Sequence, residues 1–312
     1  MQIFKQAPEF DFMGKRKLAV IFSLLLIVIS IASLATRGLE LGIDFTGGIL
    51  IEMGYQEPVD LTKVRTALSN NGFDDAIVQH FGTSKDILVR LAPRGEMSNA
   101  EVSGHVMEIL QESSTQAPEM RRVEYVGPQV GKELTEDGAL AMLFALAGIL
   151  IYVALRFEYR FALGSVAALV HDVVITLGVF SVLGIEFNLT VLAAILAVIG
   201  YSLNDTIVVF DRVRENFRII RTGTTEEVTN VSLNQTLSRT IMTSVTTLLV
   251  LLALFFVGGE LINAFALALI IGVFVGTYSS IYVASTTALA LGVSKEDLIP
   301  PEREGAEIDE TP

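Results

Sequence analysis

Long apolar stretches dominate the chain and are separated by short polar segments. About 20 mostly apolar residues are needed to cross the hydrocarbon core of a bilayer. The pattern therefore predicts six transmembrane helices and a polytopic membrane protein. The apolar stretches are approximately Leu18–Ala35, Ala139–Leu155, Phe161–Leu183, Leu189–Phe210, Thr240–Val257 and Leu261–Leu291.

The first apolar stretch is compatible with two interpretations. Lys15-Arg16-Lys17 precedes it, and small residues at Ser33 and Ala35 would permit cleavage, as in a secretory signal peptide. However, the apolar run is longer than the usual signal-peptide core of about 7–15 residues. We therefore expect an uncleaved first transmembrane helix at 18–36, behind a short N-terminal segment at 1–17.

A hydrophilic block, 37–138, follows the first stretch and has the pattern of a folded domain. Short apolar runs predict four strands, and apolar positions three or four residues apart predict two helices. The strands are predicted at Ile49–Tyr55, Ala76–Phe81, Ile87–Leu91 and Met120–Val126, with Gly82–Asp86 as a hairpin turn and helices beginning at the caps Asp60 and Ser98. The order β-α-β-β-α-β is the ferredoxin-like arrangement. The predicted fold class is thus an α-helical membrane protein with six transmembrane helices, plus an α+β ferredoxin-like (βαββαβ) extracytoplasmic domain between helices 1 and 2.

Composition narrows the function. The chain is 51% hydrophobic with a formal net charge of −13 and no cysteine, and its mean hydropathy is +0.56. It has no basic segment with interleaved aromatic residues, so we expect no nucleic-acid partner. Metal-ligand spacings, catalytic triads and phosphate-binding loops are also missing from the sequence, so we expect no enzyme activity, no cofactor and no metal. The acidic tail, 294–312, is expected to be solvated.

The distribution of Lys and Arg predicts the orientation, because cytoplasmic loops carry the excess of positive charge. If Lys15-Arg16-Lys17 is cytoplasmic, the loops 156–160 and 211–239 are cytoplasmic as well, and together they hold seven arginines. The two short outside loops, 184–188 and 258–260, hold no Lys or Arg.

The predicted topology follows from this orientation. Both termini and the tail are cytoplasmic, the block 37–138 is extracytoplasmic, and helices 2–6 occupy 139–293. In the inside loop, Thr224 and Glu227 have the spacing of a capping box. It is expected to open an amphipathic stretch that lies along the inner membrane surface.

The strongest functional signal is a carboxylate inside the fourth apolar stretch. Asp205 lies seven residues before Arg212, which is about 10 Å along a helix. A charged side chain at membrane depth is costly and marks an ion or proton pathway. Asp205 could take up and release a proton, or it could be a buried structural partner for another helix. Arg239, at the inner start of the fifth stretch, is the candidate counter-charge.

Other polar residues within the membrane stretches are candidates for the same pathway. Asn204 lies beside Asp205, and the third stretch contains the adjacent pair His171 and Asp172. Histidine titrates near physiological pH, so the pair could belong to a proton path. It could equally be a structural hydrogen-bonded pair.

Four motifs in order resemble one known family. They are Gly42–Gly48 (GIDFTGG), Val126–Gly131 (VGPQVG), Tyr201–Thr206 (YSLNDT) running into Phe210–Asn216 (FDRVREN), and Ser232–Thr240 (SLNQTLSRT). The chain resembles the SecD/SecF family of protein-export membrane proteins, within the resistance-nodulation-division superfamily. The resemblance covers nearly the whole chain.

The resemblance implies a half-transporter that pairs with SecD to complete a twelve-helix unit. Such a unit would use the proton motive force to promote protein translocation across the cytoplasmic (inner) membrane of a prokaryote. It would act with the SecYEG channel on translocating polypeptides. In the family the proton-coupling residues are a carboxylate of the fourth span and an arginine of the fifth, which correspond here to Asp205 and Arg239.

Two other functions remain open from the sequence. One is a proton-coupled exporter of small molecules or lipids of the resistance-nodulation-division type, although such pumps have about twelve spans per chain. The other is a structural partner of SecD that conducts no protons.

The motif residues around the domain's connections also have two interpretations. Asp44, Gly47 and Gly48 follow the first span, and Gly127 and Pro128 precede the second. Gly and Pro at these points could form a hinge between domain and membrane. They could also be ordinary turn residues at strand ends.

Overall fold

The structure is a computed structural model that describes residues 8–94, 98–114, 117–220 and 222–293, so the predicted acidic tail lies outside the described residues. The helices are α1 (Arg16–Thr36), α2 (Ile43–Thr46), α3 (Leu61–Asn70), α4 (Asn99–Ser113), α5 (Pro128–Arg156), α6 (Tyr159–Leu183), α7 (Leu189–Ile219), α8 (Thr225–Val257), α9 (Glu260–Ser279) and α10 (Ser285–Ala290). A π-helical turn, Ser280–Ala284, joins α9 to α10. The strands are β1 (Glu40–Leu41), β2 (Gly48–Gly54), β3 (Ile77–Phe81), β4 (Thr83–Leu91), β5 (Glu119–Val126) and β6 (Glu186–Phe187).

Six helical segments within the described residues are long and apolar enough to cross a membrane, which confirms the predicted number. They are α1, α5, α6, α7, α8 and the continuous segment from α9 to α10. In the most apolar parts of α6 and α7, 56% of the residues are buried, against 11–17% in α1, α5 and α8. The helices α6 and α7 therefore form the centre of the bundle.

Small residues set the close approach between membrane helices. On α6, a side chain at Gly178 would lie 2.1 Å from Ser30 Oγ of α1. One turn further along α1, Ser33 Oγ lies 2.8 Å from Ser181 Oγ of α6. Within a bilayer there is no hydrophobic driving force for helices to associate. Close packing at small residues and hydrogen bonds between hydroxyl groups hold the helices together instead.

The block between α1 and α5 folds as the sequence predicts. Its four-stranded antiparallel sheet has the order β3-β4-β2-β5, as the ferredoxin-like arrangement requires. Side chains from one face of the sheet, including Ile51 and Val89, pack with Leu68 of α3 and Val106 of α4. The predicted caps are confirmed, because the Asp60 side chain accepts from Thr62 N–H and Ser98 forms a capping box with Glu101.

One predicted turn boundary is wrong. The strand β4 begins at Thr83 and pairs with β3 directly after Gly82, so the turn is shorter than the predicted Gly82–Asp86. Gly82 has a φ of +74°, a conformation that glycine adopts without strain and that lets one residue reverse the chain.

The predicted cytoplasmic loop 211–239 is mostly helical. The helix α7 continues to Ile219, and α8 begins at the capping box of Thr224 and Glu227 and runs for 33 residues without a break. The stretch that the capping box opens is therefore continuous with the fifth span, and its position along the inner surface stays a prediction. The charged residues at the end of a span do not end the helix. Its backbone hydrogen bonds can continue beyond the membrane until a capping residue is reached.

The N-terminal segment contacts the same end of the bundle as the α7–α8 connection. The backbone N–H groups of Phe10 and Phe12 donate to the Oδ1 atoms of Asn234 and Asn230, at 2.9 and 2.8 Å. Arg16 forms an ion pair with Glu226. The sheet domain lies at the opposite end, where β1 pairs in parallel with β6 of the α6–α7 connection.

Candidate functional site in the membrane bundle

Asp205 is buried in the centre of the bundle. Its side chain lies on α7 and is 3% exposed. Among the described residues, no hydrogen-bond donor contacts its Oδ2 atom. A buried carboxylate without a donor bears the full cost of desolvation. Binding a proton, or the approach of a cation, removes that cost, so the local structure is suited to a change of charge state.

Arg239 supplies the positive charge that acts on Asp205. It lies on α8, and its charge interacts electrostatically with the Asp205 carboxylate. The two side chains nevertheless form no ion pair within 4.0 Å in the described part of the chain, and Arg239 is exposed on the bundle surface. The two predicted residues are thus close enough for their charges to interact, but their side chains are not in direct contact.

Hydroxyl groups around this pair are also left without partners. Thr206 Oγ1 on α7 and Thr240 Oγ1 on α8 are buried and accept or donate no hydrogen bond among the described residues. Buried hydroxyls are normally paired. These two hydroxyls directly follow Asp205 and Arg239 in the sequence.

Asn204 does not join Asp205 in the interior. Its side chain is exposed, because adjacent residues on a helix point about 100° apart. One turn earlier, Gly200 has no atom of another segment within 4 Å of its would-be side chain. Asn204 and Gly200 therefore lie on an open face of α7 and not in the interior that contains Asp205.

His171 and Asp172 lie in a separate buried network on α6. Asp172 is 1% exposed and His171 is 2% exposed. Their side chains contact each other, with His171 Nδ1 2.9 Å from Asp172 Oδ1. The other carboxylate oxygen, Oδ2, accepts hydrogen bonds from Ser202 on α7 at 2.5 Å and from Ser279 on α9 at 2.7 Å. Both carboxylate oxygens of Asp172 therefore have polar partners, whereas Asp205 Oδ2 has none among the described residues.

The network extends from His171 to α1. His171 Nε2 lies 3.2 Å from Ser23 Oγ, which lies 2.9 Å from the hydroxyl of Tyr278. Tyr278 donates in turn to the backbone carbonyl of Ala19 at 2.8 Å. Four membrane helices thus meet through one chain of polar contacts.

Sequence reasoning missed the contribution of the last span to this network. Tyr278 and Ser279 end α9, immediately before the π-helical turn that begins at Ser280. Such turns shift the side chains that follow and occur frequently at functional sites. The available signal was the polar run from Thr277 to Ser280 inside an apolar segment.

The motif residues near the domain form a tight junction. Gly47 and Gly48 have φ values of +69° and +133°. A side chain at Gly47 would lie 2.9 Å from Pro128 Cα, and one at Gly48 would lie 2.4 Å from Leu91 O. Gly127 caps α5 and Pro128 is its first residue. Backbone conformation and close packing account for these residues, and a hinge role stays a prediction.

Asp44 is held at the same junction. Its Oδ2 atom accepts a hydrogen bond from the backbone N–H of Leu189, the first residue of α7, at 2.9 Å. Sequence reasoning placed Asp44 only in a motif, because nothing local indicates a contact 145 residues away.

Comparisons with known proteins agree with this architecture. The family model described as "Protein export membrane protein SecD/SecF, C-terminal" matches residues 105–294, and the model described as "SecD/SecF GG Motif" matches residues 32–59. Similar curated proteins include the protein translocase subunit SecF of Vibrio alginolyticus, 54% identical over 100% of this chain and 99% of that protein. The same-named subunit of Escherichia coli O157:H7 is 48% identical over 96% of this chain and 93% of that protein.

A solved structure has the same fold. The crystal structure of SecDF, a translocon-associated membrane protein from Thermus thermophilus, matches with a TM-score of 0.85 and 40% identity. The match covers 93% of this chain but 39% of that longer chain. The family model covers more than half of the sequence, and the curated relatives align over nearly their full length. The chain belongs to the SecD/SecF family of protein-export membrane proteins.

Proposed function

We propose that this chain is a subunit of a SecD-containing accessory complex that uses the proton motive force to promote protein translocation across the cytoplasmic membrane. The carrying observation is the buried Oδ2 of Asp205, which lacks a donor while the charge of Arg239 acts on it from outside ion-pair distance. This arrangement can bind a proton when Arg239 is distant and release it when Arg239 approaches. Because the chain belongs to a family of protein-export membrane proteins, protein translocation is the process that we propose the proton drives.

The need for a partner subunit is supported by the open surface beside this pair. Arg239 and Asn204 are exposed in membrane-spanning helices, and neither side chain has a hydrogen-bond partner among the described residues. A polar side chain facing lipid is costly. A second membrane subunit that covers this face would remove the cost, and the longer SecDF structure contains more chain than this protein matches. SecD is the proposed partner, with SecYEG and its translocating polypeptides beyond it.

The orientation is proposed from the two ends of the bundle. The N-terminal segment contacts α8 near Asn230 and Asn234, so the basic residues around Lys15 and those at the end of α7, Arg214 and Arg218, lie at one end. That end is assigned to the cytoplasm, with both termini. The domain 37–138 is assigned to the outside of the inner membrane.

A proton can supply enough free energy for this task. One elementary charge crossing a potential of about 100 mV releases about 2.3 kcal/mol. That is sufficient to shift a two-state equilibrium of a few kcal/mol. The exporter of small molecules or lipids, the alternative from the sequence, gains no supporting observation, because the matched family is one of protein export.

The test is reconstitution of this chain with SecD and the translocon in vesicles. Asp205→Asn keeps size and polarity but cannot titrate. It should abolish gradient-dependent protein translocation and proton flux, while the complex still co-purifies. Asp211→Asn, which changes an exposed aspartate on the same helix, is the matched control. Wild-type flux and translocation by Asp205→Asn would refute the proposal, and intact assembly distinguishes it from a structural role.

A further inference from the structure

The stem, the extracytoplasmic segment 37–47 between α1 and the sheet domain, caps α7, the helix that carries Asp205. Asp44 lies on α2, the short helix before the sheet domain, and accepts the Leu189 N–H at 2.9 Å. Two residues further along α7, the N–H of Val191 donates to the side chain of Asn188 at 3.0 Å. Asn188 is therefore the local cap, and Asp44 is a second cap supplied by a distant segment.

The chemistry of this contact favours a carboxylate. The first N–H groups of a helix have no partner within the helix, and they form its positive end. An aspartate there satisfies a donor and places its negative charge next to that positive end. The contact is therefore stronger than an ordinary surface hydrogen bond.

Further contacts make the junction a connected unit. The N–H of Gly42 donates to Phe187 O at 2.9 Å, continuing the pairing of β1 with β6. The rings of Phe45 and Phe187 stack at 5.7 Å. On the other side of α2, a side chain at Gly131 of α5 would lie 2.8 Å from Gly47 N. The stem is thus clamped between the beginnings of α5 and α7.

The sheet domain is tied to the same unit through Arg90. This residue lies on β4 in the domain. Its guanidinium donates to Leu41 O at 2.7 Å and lies 3.7 Å from the Glu186 carboxylate, in the α6–α7 connection. Two contacts, one at Asp44 and one at Arg90, therefore connect the beginning of α7 to the domain and can transmit a displacement of the helix.

We propose that Asp44 is a positioning residue that transmits movement of α7 to the extracytoplasmic domain. The inference rests on the proposed function, in which the charge state of Asp205 on α7 is the driving event. Asp44 binds no proton in this scheme. It keeps the stem attached to α7, so that a shift of the helix becomes a change in the domain's position.

The test compares two aspartate caps of the same chemistry. Asp44→Ala removes the contact between stem and α7, and Asp60→Ala removes the cap of α3 inside the domain, where Asp60 accepts from Thr62 N–H at 2.9 Å. Asp44→Asn retains an acceptor oxygen and serves as the conservative variant. Since the chain has no cysteine, cysteines introduced at the exposed positions Glu112 on α4 and Leu183 at the end of α6 can carry spin labels on the domain and on the bundle.

Two measurements are made on the reconstituted complex. Asp44→Ala should lower the polypeptide translocated per proton by at least about fivefold while proton flux stays within about twofold of wild type. It should also broaden the distance distribution between the two labels, measured without a gradient. Asp60→Ala should leave the ratio and the distribution as in wild type, and Asp44→Asn should restore most of both.

The outcomes separate this inference from the proposed function. A wild-type ratio and distribution for Asp44→Ala would overturn the role of Asp44. Equal loss of flux and translocation with an unchanged distribution would also overturn it. If Asp205→Asn retains flux and translocation, the proposed function fails, and the label distances still decide whether Asp44 positions the domain.

Discussion

Ser202 Oγ donates a 2.5 Å hydrogen bond to Asp172 Oδ2, and both atoms are buried between α6 and α7. Ser202 lies one helical turn before Asp205 on α7. The Asp172 carboxylate is thus fully paired, whereas Asp205, three residues beyond Ser202 on α7, has no donor on its Oδ2 atom among the described residues. We propose different roles for the two aspartates, with Asp172 holding helices together and Asp205 left available for a change of charge.

Loss of the Asp172 carboxylate should destabilise the bundle. In Asp172→Ala the hydroxyls of Ser202 and Ser279 and His171 Nδ1 lose the buried carboxylate that they contact. We expect a loss of about 1–3 kcal/mol in the free energy of unfolding, measured by denaturation in detergent. The control Asp211→Asn removes an exposed pair with Arg156 and should cost at most about 1 kcal/mol. Equal effects would show that the network contributes no more than a surface pair.

Replacement of Arg239 should separate function from stability. Its side chain is exposed and has no ion-pair partner among the described residues, so Arg239→Gln should change the stability of the isolated chain by no more than about 0.5 kcal/mol. Proton flux of the complex with SecD should be lost. Arg218→Gln, at an exposed position near the end of α7, is the control and should retain flux. A large destabilisation of the isolated chain would instead make Arg239 a structural partner within this bundle.

Gly48 should tolerate no side chain. Its φ of +133° and the 2.4 Å approach to Leu91 O combine strain with a clash against backbone that cannot move freely. Gly72 has a similar strain, with φ of +82°, but open space around it. Gly48→Ala should therefore cost at least about 1 kcal/mol more than Gly72→Ala. Thermal unfolding of the two variants measures the difference. Equal shifts of the unfolding temperature would mean that the backbone of β2 and β4 moves apart to accommodate the added methyl group.

Glu186 should make stability depend on pH at the junction. Burial raises the pKa of Glu186 above its ordinary 4.5; Arg90 opposes this rise, and Asp44 and Glu40 add to it. A carboxyl group whose pKa is higher in the folded state favours folding in its protonated form. This contribution is fully present below the unfolded pKa and is lost as pH rises through the folded pKa.

The variant Glu186→Gln lacks this titration. Its thermal stability relative to wild type should therefore increase as pH rises from about 4 to about 7. The exposed glutamate of α4, Glu112, provides the control Glu112→Gln, which makes the same change of charge away from the junction. A constant difference for Glu186→Gln would mean that Arg90 compensates the burial completely.

Much of the architecture could be predicted from local pattern alone. Apolar length determines the six spans, because a helix in lipid must satisfy its own backbone and present apolar side chains all round. Alternation and caps such as Asp60 and Ser98 determine the domain's elements, since they act over a few residues. Asp205 was identifiable for the same reason, because a charge within an apolar run is visible without any contact.

Only the tertiary structure decided which polar residues meet. The sequence placed both Asp172 and Asp205 inside membrane stretches, yet in the structure Ser202 and Ser279 pair with Asp172, while Asp205 Oδ2 has no donor among the described residues. Neither partner is close to Asp172 in sequence, and Asp44 reaches Leu189 across 145 residues. Hydrogen bonds act over about 3 Å, so the distinction between a paired and an unpaired carboxylate depends on how the helices pack.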